Sequence, residues 1–231
     1  MKKSDFYFDL PDELIAQSPI EHRDHARLLC VSRMAGALEH RYFYELPDIL
    51  SPGDLLVLND SKVIPARLLG IKEPTGAAIE FLLLEKKADD IWEILVRPGR
   101  KAMPGTVVSF GGGILRGEVL DILEGGNRLA RFSYDLGHGD FYALLDQIGL
   151  MPLPHYITEK LEDNTRYQTV YAKDRGSAAA PTAGLHFTPD LLNRLDEKGI
   201  DRAFVTLHVG LGTFRPVKSD NIEDHRMHTE H

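Results

Sequence analysis

Cysteine is almost missing from this chain: Cys30 is the only one among 231 residues. A single thiol closes no internal disulfide, so packing must hold the fold, and the usage fits a reducing, cytoplasmic compartment. Long apolar runs are missing as well; none approaches the ~20 residues that a membrane-spanning helix needs. The opening MKKSDFYFDL starts basic but lacks the apolar stretch of a secretory signal. Nor is there an excess of positive charge. With 35 acidic residues against 27 Lys and Arg, the net charge is −8. That argues against a nonspecific nucleic-acid binder, whose phosphate affinity comes from Lys and Arg. A local patch remains open: Arg97, Arg100 and Lys101 flank a Pro98-Gly99 turn and read either as phosphate contacts or as a solvated turn. No repeat or low-complexity segment stands out.

What is present is ordinary for a soluble globular protein, with 43% hydrophobic and 27% charged residues. The length suffices for one or two domains with a sizeable core. A short helix signal lies between Pro11 and Pro19, with Leu14 and Ile15 as its apolar residues. Cys30, within Leu28-Leu29-Cys30-Val31, reads as a buried strand residue. Leu55 to Leu58 form a short strand that runs into Asn59-Asp60. Those two polar residues suit substrate contacts and are equally common turn chemistry.

From Lys62 to Tyr134 the pattern changes to short strands: Ile79–Leu84, Ile91–Val96, Thr106–Phe110, Ile114–Ile122 and Leu129–Tyr134. Gly111-Gly112-Gly113 and Gly125-Gly126-Asn127 interrupt them. This spacing predicts a small antiparallel barrel or sandwich, followed by a helix over Phe141–Leu150. The expected architecture is a mixed α/β main domain, residues 1–61 with 151–231, carrying an inserted small antiparallel β-barrel at 62–150.

Chemistry concentrates near the end of the chain. Residues 177–187, SAAAPTAGLHF, carry little side-chain bulk before His186 and Phe187. So bare a backbone lets a flat ligand lie on peptide groups, and His186 adds a group that exchanges a proton near neutral pH. The same residues also read as a tightly packed strand with a core histidine. TLHVGLGTF, residues 206–214, has the same character. Read as a strand, it sets Leu207, Val209 and Leu211 on a core face and Thr206, His208, Gly210 and Gly212 on a bare one. The two glycines admit a ligand, or mark a bulge or a crowded sheet contact. They are no dinucleotide fingerprint, because Arg215-Pro216 follows instead of a helix and the third glycine is lacking.

Between these stretches lies a punctuated helix. Thr188 is the N-cap, Pro189 the first helical residue, and Asp190 suits the positive end of the dipole. Leu191, Leu192 and Leu195 share a face, and Gly199 is the stop. The strand–helix–strand order predicts parallel pairing, with His186 and His208 in neighbouring strands or at their ends. A last cluster is DHRMHTEH, residues 224–231. In a helix His225 and His228 would share a face, which raises metal binding together with Glu230. The spacing differs from H-E-x-x-H, and Glu230 equally suits a proton-handling pair with a histidine.

These segments together resemble the S-adenosylmethionine:tRNA ribosyltransferase-isomerase family of queuosine biosynthesis. The resemblance runs through FDLPDELIAQSP with Arg27-Leu28-Leu29, LVLNDSKVIPARL, GDFYALLDQIGLMPLPHYI, RYQTVYA, GSAAAPTAGLHF, VTLHVGLGTFRPV and EDHRMHTE, in that order and nearly end to end. It implies transfer of the ribosyl part of S-adenosylmethionine onto 7-aminomethyl-7-deazaguanine at the tRNA wobble position. The product is epoxyqueuosine, with adenine and methionine released. S-adenosylmethionine then serves as a substrate, and no cofactor or metal is expected. The donor is expected along Ala180, Thr182, Gly184, His208, Gly210 and Gly212. His186, His208, His228 and Glu230 are the candidates for proton transfer, and Asn59, Asp60 and Arg215 for contacts to ribose, carboxylate or phosphate. The family continues beyond the HRMHTE motif, so the chain reads as C-terminally truncated. Two other readings stand beside this one: a metal-dependent hydrolase using His225, His228 and Glu230, and a catalytically inactive nucleotide-binding fragment.

Overall fold

A hairpin opens the ordered strands: β1 (Arg27–Val31) pairs antiparallel with β2 (Leu38–Tyr42). The structure is a computed structural model and describes residues 1–231 apart from His155, Lys160, Arg215 and His231, with Leu211 and Phe214 described by backbone alone. The short helix α1 (Leu46–Ile49) leads into β3 (Leu55–Asn59), and after one residue the chain resumes as β4 (Ser61–Val63).

Next come β5 (Arg67–Lys72), β6 (Ala77–Ala88), β7 (Ile91–Arg97), β8 (Val107–Phe110), β9 (Leu115–Ile122) and β10 (Arg128–Tyr134). All their pairings are antiparallel, and β10 bonds both β7 and β9, closing a barrel in the order β10-β7-β6-β5-β8-β9. Inward positions alternate along each strand, as the period of two demands. Phe81, Phe110 and Phe132 meet at the centre, with Phe81 5.2 Å from Phe110 and 6.4 Å from Phe132 between ring centroids. A Cβ on Gly117 would lie 3.0, 3.1 and 3.3 Å from the rings of Phe81, Phe132 and Phe110, so the missing side chain makes room for the cluster. The helix α2 (Phe141–Ile148), capped by the Asp140 carboxylate accepting from Ala143 N–H, buries Phe141, Leu144 and Leu145 against this core.

The rest of the chain packs a second core. β11 (Asp174–Ser177) runs parallel to β4. The helix α3 (Pro189–Glu197) then leads to β12 (Asp201–Val205), which runs parallel to β3 with Leu55 opposite Asp201 and Asn59 opposite Val205. α3 follows the expected punctuation: Thr188 Oγ1 accepts from Leu191 N–H at 3.1 Å, and Gly199 turns at φ +78°. Its Leu191, Leu192 and Leu195 pack with Phe43, Leu58, Phe187 and Ile200. A mixed α/β fold with a barrel is therefore present.

Four local expectations need correction. The strand expected over 206–214 stops at Val205; residues 206–210 are irregular and Leu211–Phe214 form a 3₁₀ turn. The ladder stops because the Asn59 side chain, not backbone, satisfies Leu207: Oδ1 accepts from Leu207 N–H at 3.1 Å and Nδ2 donates to its carbonyl at 2.8 Å. Leu207 consequently stays exposed instead of facing a core. Likewise 177–187 is not a strand. β11 ends at Ser177, Pro181 brings no N–H to a ladder, and Thr182–His186 coil into a 3₁₀ turn. The expected helix after Pro11 is a single 3₁₀ turn, Asp12–Leu14, too short to repay helix nucleation. His225 to Glu230 are irregular, so His225 and His228 share no helix face. In addition, Cys30 lies on β1 as expected but is only half-buried, and β5 is a barrel strand that the strand pattern omitted.

Candidate active site

The bend between β3 and β4 organises the candidate site. Asp60 sits at the bend and is buried. Its N–H donates to Val205 O at 3.0 Å, and its carbonyl accepts from Lys173 N–H at 2.7 Å, so one residue ties the β12 end to the approach of β11. The Asp60 carboxylate accepts from the Thr206 hydroxyl at 2.8 Å. The Asp174 carboxylate lies 3.4 Å from that same hydroxyl. Asn59, besides holding Leu207, accepts from Ser61 N–H at 3.0 Å. In this structure both polar residues brace the 206–210 segment.

That segment returns along the end of β11. Ala178 N–H donates to Val209 O at 2.9 Å. The fully buried Ser177 hydroxyl accepts from Val209 N–H at 3.0 Å and donates to Ala179 O at 2.7 Å. The two small-residue stretches therefore lie side by side, although neither is a strand throughout. His208 stands over Gly176, where a Cβ would meet the ring at 2.9 Å and where φ is +151°, so both space and backbone call for glycine. His208 Nδ1 is buried and has no hydrogen-bond partner.

The C-terminal cluster closes over the same segment. Glu230 Oε2 accepts from Gly210 N–H, and Glu230 Oε1 lies 2.8 Å from His228 Nε2. The two side chains are 31% and 18% exposed, so the pair is shielded but reachable. A Cβ on Gly210 would come to 3.3 Å from Glu230, and one on Gly212 would overlap the His228 ring. With the segment irregular, the alternating bare face expected there does not form, and residues from further along the chain pack against Gly210 and Gly212.

His186 sits apart from these contacts. Its ring packs on Phe43, 5.3 Å between centroids. Burial holds its pKa below the usual histidine value; a hydrogen bond to the Arg23 backbone pulls the other way, and the Arg23 charge adds to the lowering. Arg23 itself spans the neighbouring loops, its guanidinium donating to the carbonyls of Gln168 at 2.7 Å, Leu185 at 3.1 Å and Thr165 at 2.6 Å. Ala180 and Gly184 are buried: Ala180 packs with Val63, Met151 and Tyr167, and Gly184 lies directly against Tyr171 and Thr169. Burial pushes the Tyr171 hydroxyl up to about 12. Thr182 is exposed. Arg215 lies outside the described residues.

Sequence reading missed Ser177, Thr206, Gln168 and Arg23 as organising residues. Gln168 brackets Val63 as Asn59 brackets Leu207, its Oε1 accepting at 3.0 Å and its Nε2 donating at 2.6 Å. Ser177 and Thr206 lie inside the quoted motifs but have generic chemistry. Arg23 works on carbonyls distant in sequence, a role that no local pattern announces. Among the described residues, no group of three His, Cys, Asp or Glu could hold a metal ion. No helix among them is long and apolar enough to cross a membrane.

Comparison with known proteins agrees with the motif order. The family model described as "Queuosine biosynthesis protein" matches residues 3–231. A curated relative from Desulfitobacterium hafniense, named S-adenosylmethionine:tRNA ribosyltransferase-isomerase, is 58% identical over 231 residues, covering 100% of this chain and 67% of the relative. Relatives of the same name from Acetivibrio thermocellus and Clostridioides difficile are 57% and 56% identical, with the same coverage. A crystal structure of S-adenosylmethionine tRNA ribosyltransferase from Thermotoga maritima shares 39% identity and a TM-score of 0.37, covering 89% of this chain and 59% of that one. The chain thus spans about two thirds of the length of these curated relatives. The hydrolase reading finds no support among them. With its motifs in order and more than half of its residues shared across its whole length, the chain belongs to the S-adenosylmethionine:tRNA ribosyltransferase-isomerase family of queuosine biosynthesis.

Proposed function

We propose that the protein carrying this chain transfers the ribosyl moiety of S-adenosylmethionine to 7-aminomethyl-7-deazaguanine at the wobble position of tRNA, forming epoxyqueuosine. The observation that carries this reading is the 58% identity, over every residue of the chain, with a relative named for that activity. Adenine and methionine leave as products, the donor is consumed as substrate, and no separate cofactor is invoked. The reaction belongs in the cytoplasm, where tRNA and the donor are both available. Residues 1–61 and 151–231 supply the catalytic part, and residues 62–150 are an inserted barrel domain.

The chemistry needs a base for the carbon next to the sulfonium, a neutral amine as nucleophile and a proton for departing adenine. His228 is assigned the first proton transfer, with Glu230 orienting its imidazole while the Gly210 N–H fixes the carboxylate. His208, over Gly176, is assigned as a second proton carrier, its Nδ1 buried and unpartnered. His186, kept toward the neutral form by burial, is assigned to the far side of the donor. The donor itself is assigned to a floor along 177–184 and 206–212, where Thr182 is exposed, Ala180 and Gly184 are buried, and Gly210 and Gly212 lie against Glu230 and His228. Asn59 and Asp60 hold that floor in place, and Arg215 is kept as an anion contact.

The test incubates the full-length protein with S-adenosylmethionine and precursor-modified tRNA and analyses the nucleosides. Adenine release should require the aminomethyl-deazaguanine, because a reactive intermediate left unshielded would be lost to water. Equal release with unmodified tRNA would remove that coupling, and methyl transfer to tRNA would sink the assignment. Loss of turnover on chelation would revive a metal-dependent reading.

A further inference from the structure

On the surface behind His186 four aromatic rings form a continuous ladder that the proposed chemistry does not use. His22 and His25 lie 5.0 Å apart between ring centroids. His25 meets Tyr44 edge-on at 5.2 Å, and Tyr44 stacks on Tyr42 at 5.4 Å with only 7° between the planes. Tyr42, at the end of the stack, is 46% exposed. His25, Tyr42 and Tyr44 border a hollow of about 620 Å³ that is also lined by Ile20, Asp24 and Arg194, within the range of small-ligand sites, about 300–1,000 Å³. Arginine ion pairs among the described residues involve Arg41, Arg67, Arg116, Arg175 and Arg202 but not Arg194.

We propose that this ladder is a stacking site for an unpaired nucleotide of the RNA substrate, adjacent to the one being modified; the proposal rests on the tRNA reading above. A parallel tyrosine pair, Tyr42 exposed and Tyr44 half-buried, offers a nucleobase the flat face that single-stranded RNA recognition uses, without demanding a particular base. Arg194 supplies a planar donor for the neighbouring phosphate. Asp24 can accept from an exocyclic amine or a ribose 2′-hydroxyl. The position fits a flanking nucleotide. Phe43, between the two tyrosines in sequence, points inward to His186 at 5.3 Å and to Phe187 at 4.9 Å. One short stretch thus supports the candidate histidine from behind and presents the tyrosines outward. Arg23, on the same 3₁₀ turn as His25, binds the Leu185 carbonyl next to His186.

The experiment measures affinity of the full-length protein for an anticodon stem-loop RNA and for a fully paired RNA of equal length. Tyr42→Ala and Tyr44→Ala should each weaken stem-loop binding roughly tenfold or more, with S-adenosylmethionine binding and thermal unfolding unchanged. Tyr44→Phe, which keeps the ring, should retain affinity, as should Tyr7→Ala, whose ring is exposed elsewhere. Arg194→Ala should lower the salt dependence by about one phosphate contact. Unchanged stem-loop affinity in folded tyrosine variants would overturn the proposal, as would an equal loss on paired RNA. Failure of the functional reading is separable: tyrosine-dependent loop binding without ribosyl transfer would leave the stacking site standing and remove the reaction.

Discussion

In the barrel, Leu68, Phe81, Ile94, Leu115 and Ala130 are fully buried, whereas β3 and β12 leave Leu55, Val57 and Val205 58%, 60% and 47% exposed. Both regions are built from ordinary strand-forming residues, so composition does not separate them. Their edges do. The barrel pairs its last strand with both neighbours and packs α2 against its core, so its inward face meets only itself and that helix. The β3–β12 pair is parallel and two-stranded, covered by α3 on one face only, whereas parallel sheets are normally covered on both. The candidate site belongs to this second, less regular region. There, side chains such as Asn59, Gln168 and Ser177 do work that backbone ladders do in the barrel.

The comparison is most exposed to attack at the pair that closes the site. Glu230→Gln should lower adenine release roughly 10²–10⁴-fold, because the amide holds His228 less well and carries no charge. Unfolding of the barrel, followed through Trp92 fluorescence, should not move. Wild-type turnover would return Glu230 to a structural role. Next in size, Phe81→Ala should destabilise the barrel by about 3–5 kcal/mol, since its ring touches both Phe110 and Phe132. Val57→Thr on the open face of β3 should stay within about 0.5 kcal/mol in denaturant unfolding. Similar losses at both positions would mean that β3 is as well covered as the barrel wall. A smaller effect is expected for Thr188→Ala, which removes the α3 cap and should cost about 1 kcal/mol; no loss would imply that packing alone holds that helix.

The smallest effect concerns pH. Burial lowers the His186 pKa below its unfolded value of about 6.5. The unfolded chain therefore takes up a proton more readily than the folded one. The contribution is fully present above the unfolded value and is lost as the pH falls through the folded pKa. Melting temperature should fall more between neutral pH and pH 5 in the wild type than in His186→Gln. Parallel pH profiles would place His186 in a solvated environment.

Much of this was legible from local rules. Thr188, Pro189 and Gly199 marked α3 because caps and stops act within a turn of the chain. Glycine-punctuated alternation marked five of the barrel strands, and β5 escaped because Gly70 interrupts its short Arg67–Lys72 run, where it makes room for Phe110. Gly210 and Gly212 stood out in the sequence as places without side chains, but what packs against them, His228 with Glu230, was hidden by sequence distance. The extension of β12 to Phe214 failed for a physical reason that alternation cannot express: the Asn59 amide offers Leu207 the same donor and acceptor as a strand.

By itself, then, the sequence determined the family, through ordered motifs, and the elements whose signals are local: the capped helix, the alternating barrel strands and the small-residue stretches. Only the tertiary structure decided that Asp60 ties β12 to β11, that Ser177 joins the two bare segments, and that Glu230 reaches back to Gly210. It alone also set His186 against Phe43 and gathered His22, His25, Tyr42 and Tyr44 into one ladder. Caps and alternation are properties of a few neighbouring residues. Hydrogen bonds and ring contacts between distant segments exist only once the cores have fixed where those segments lie.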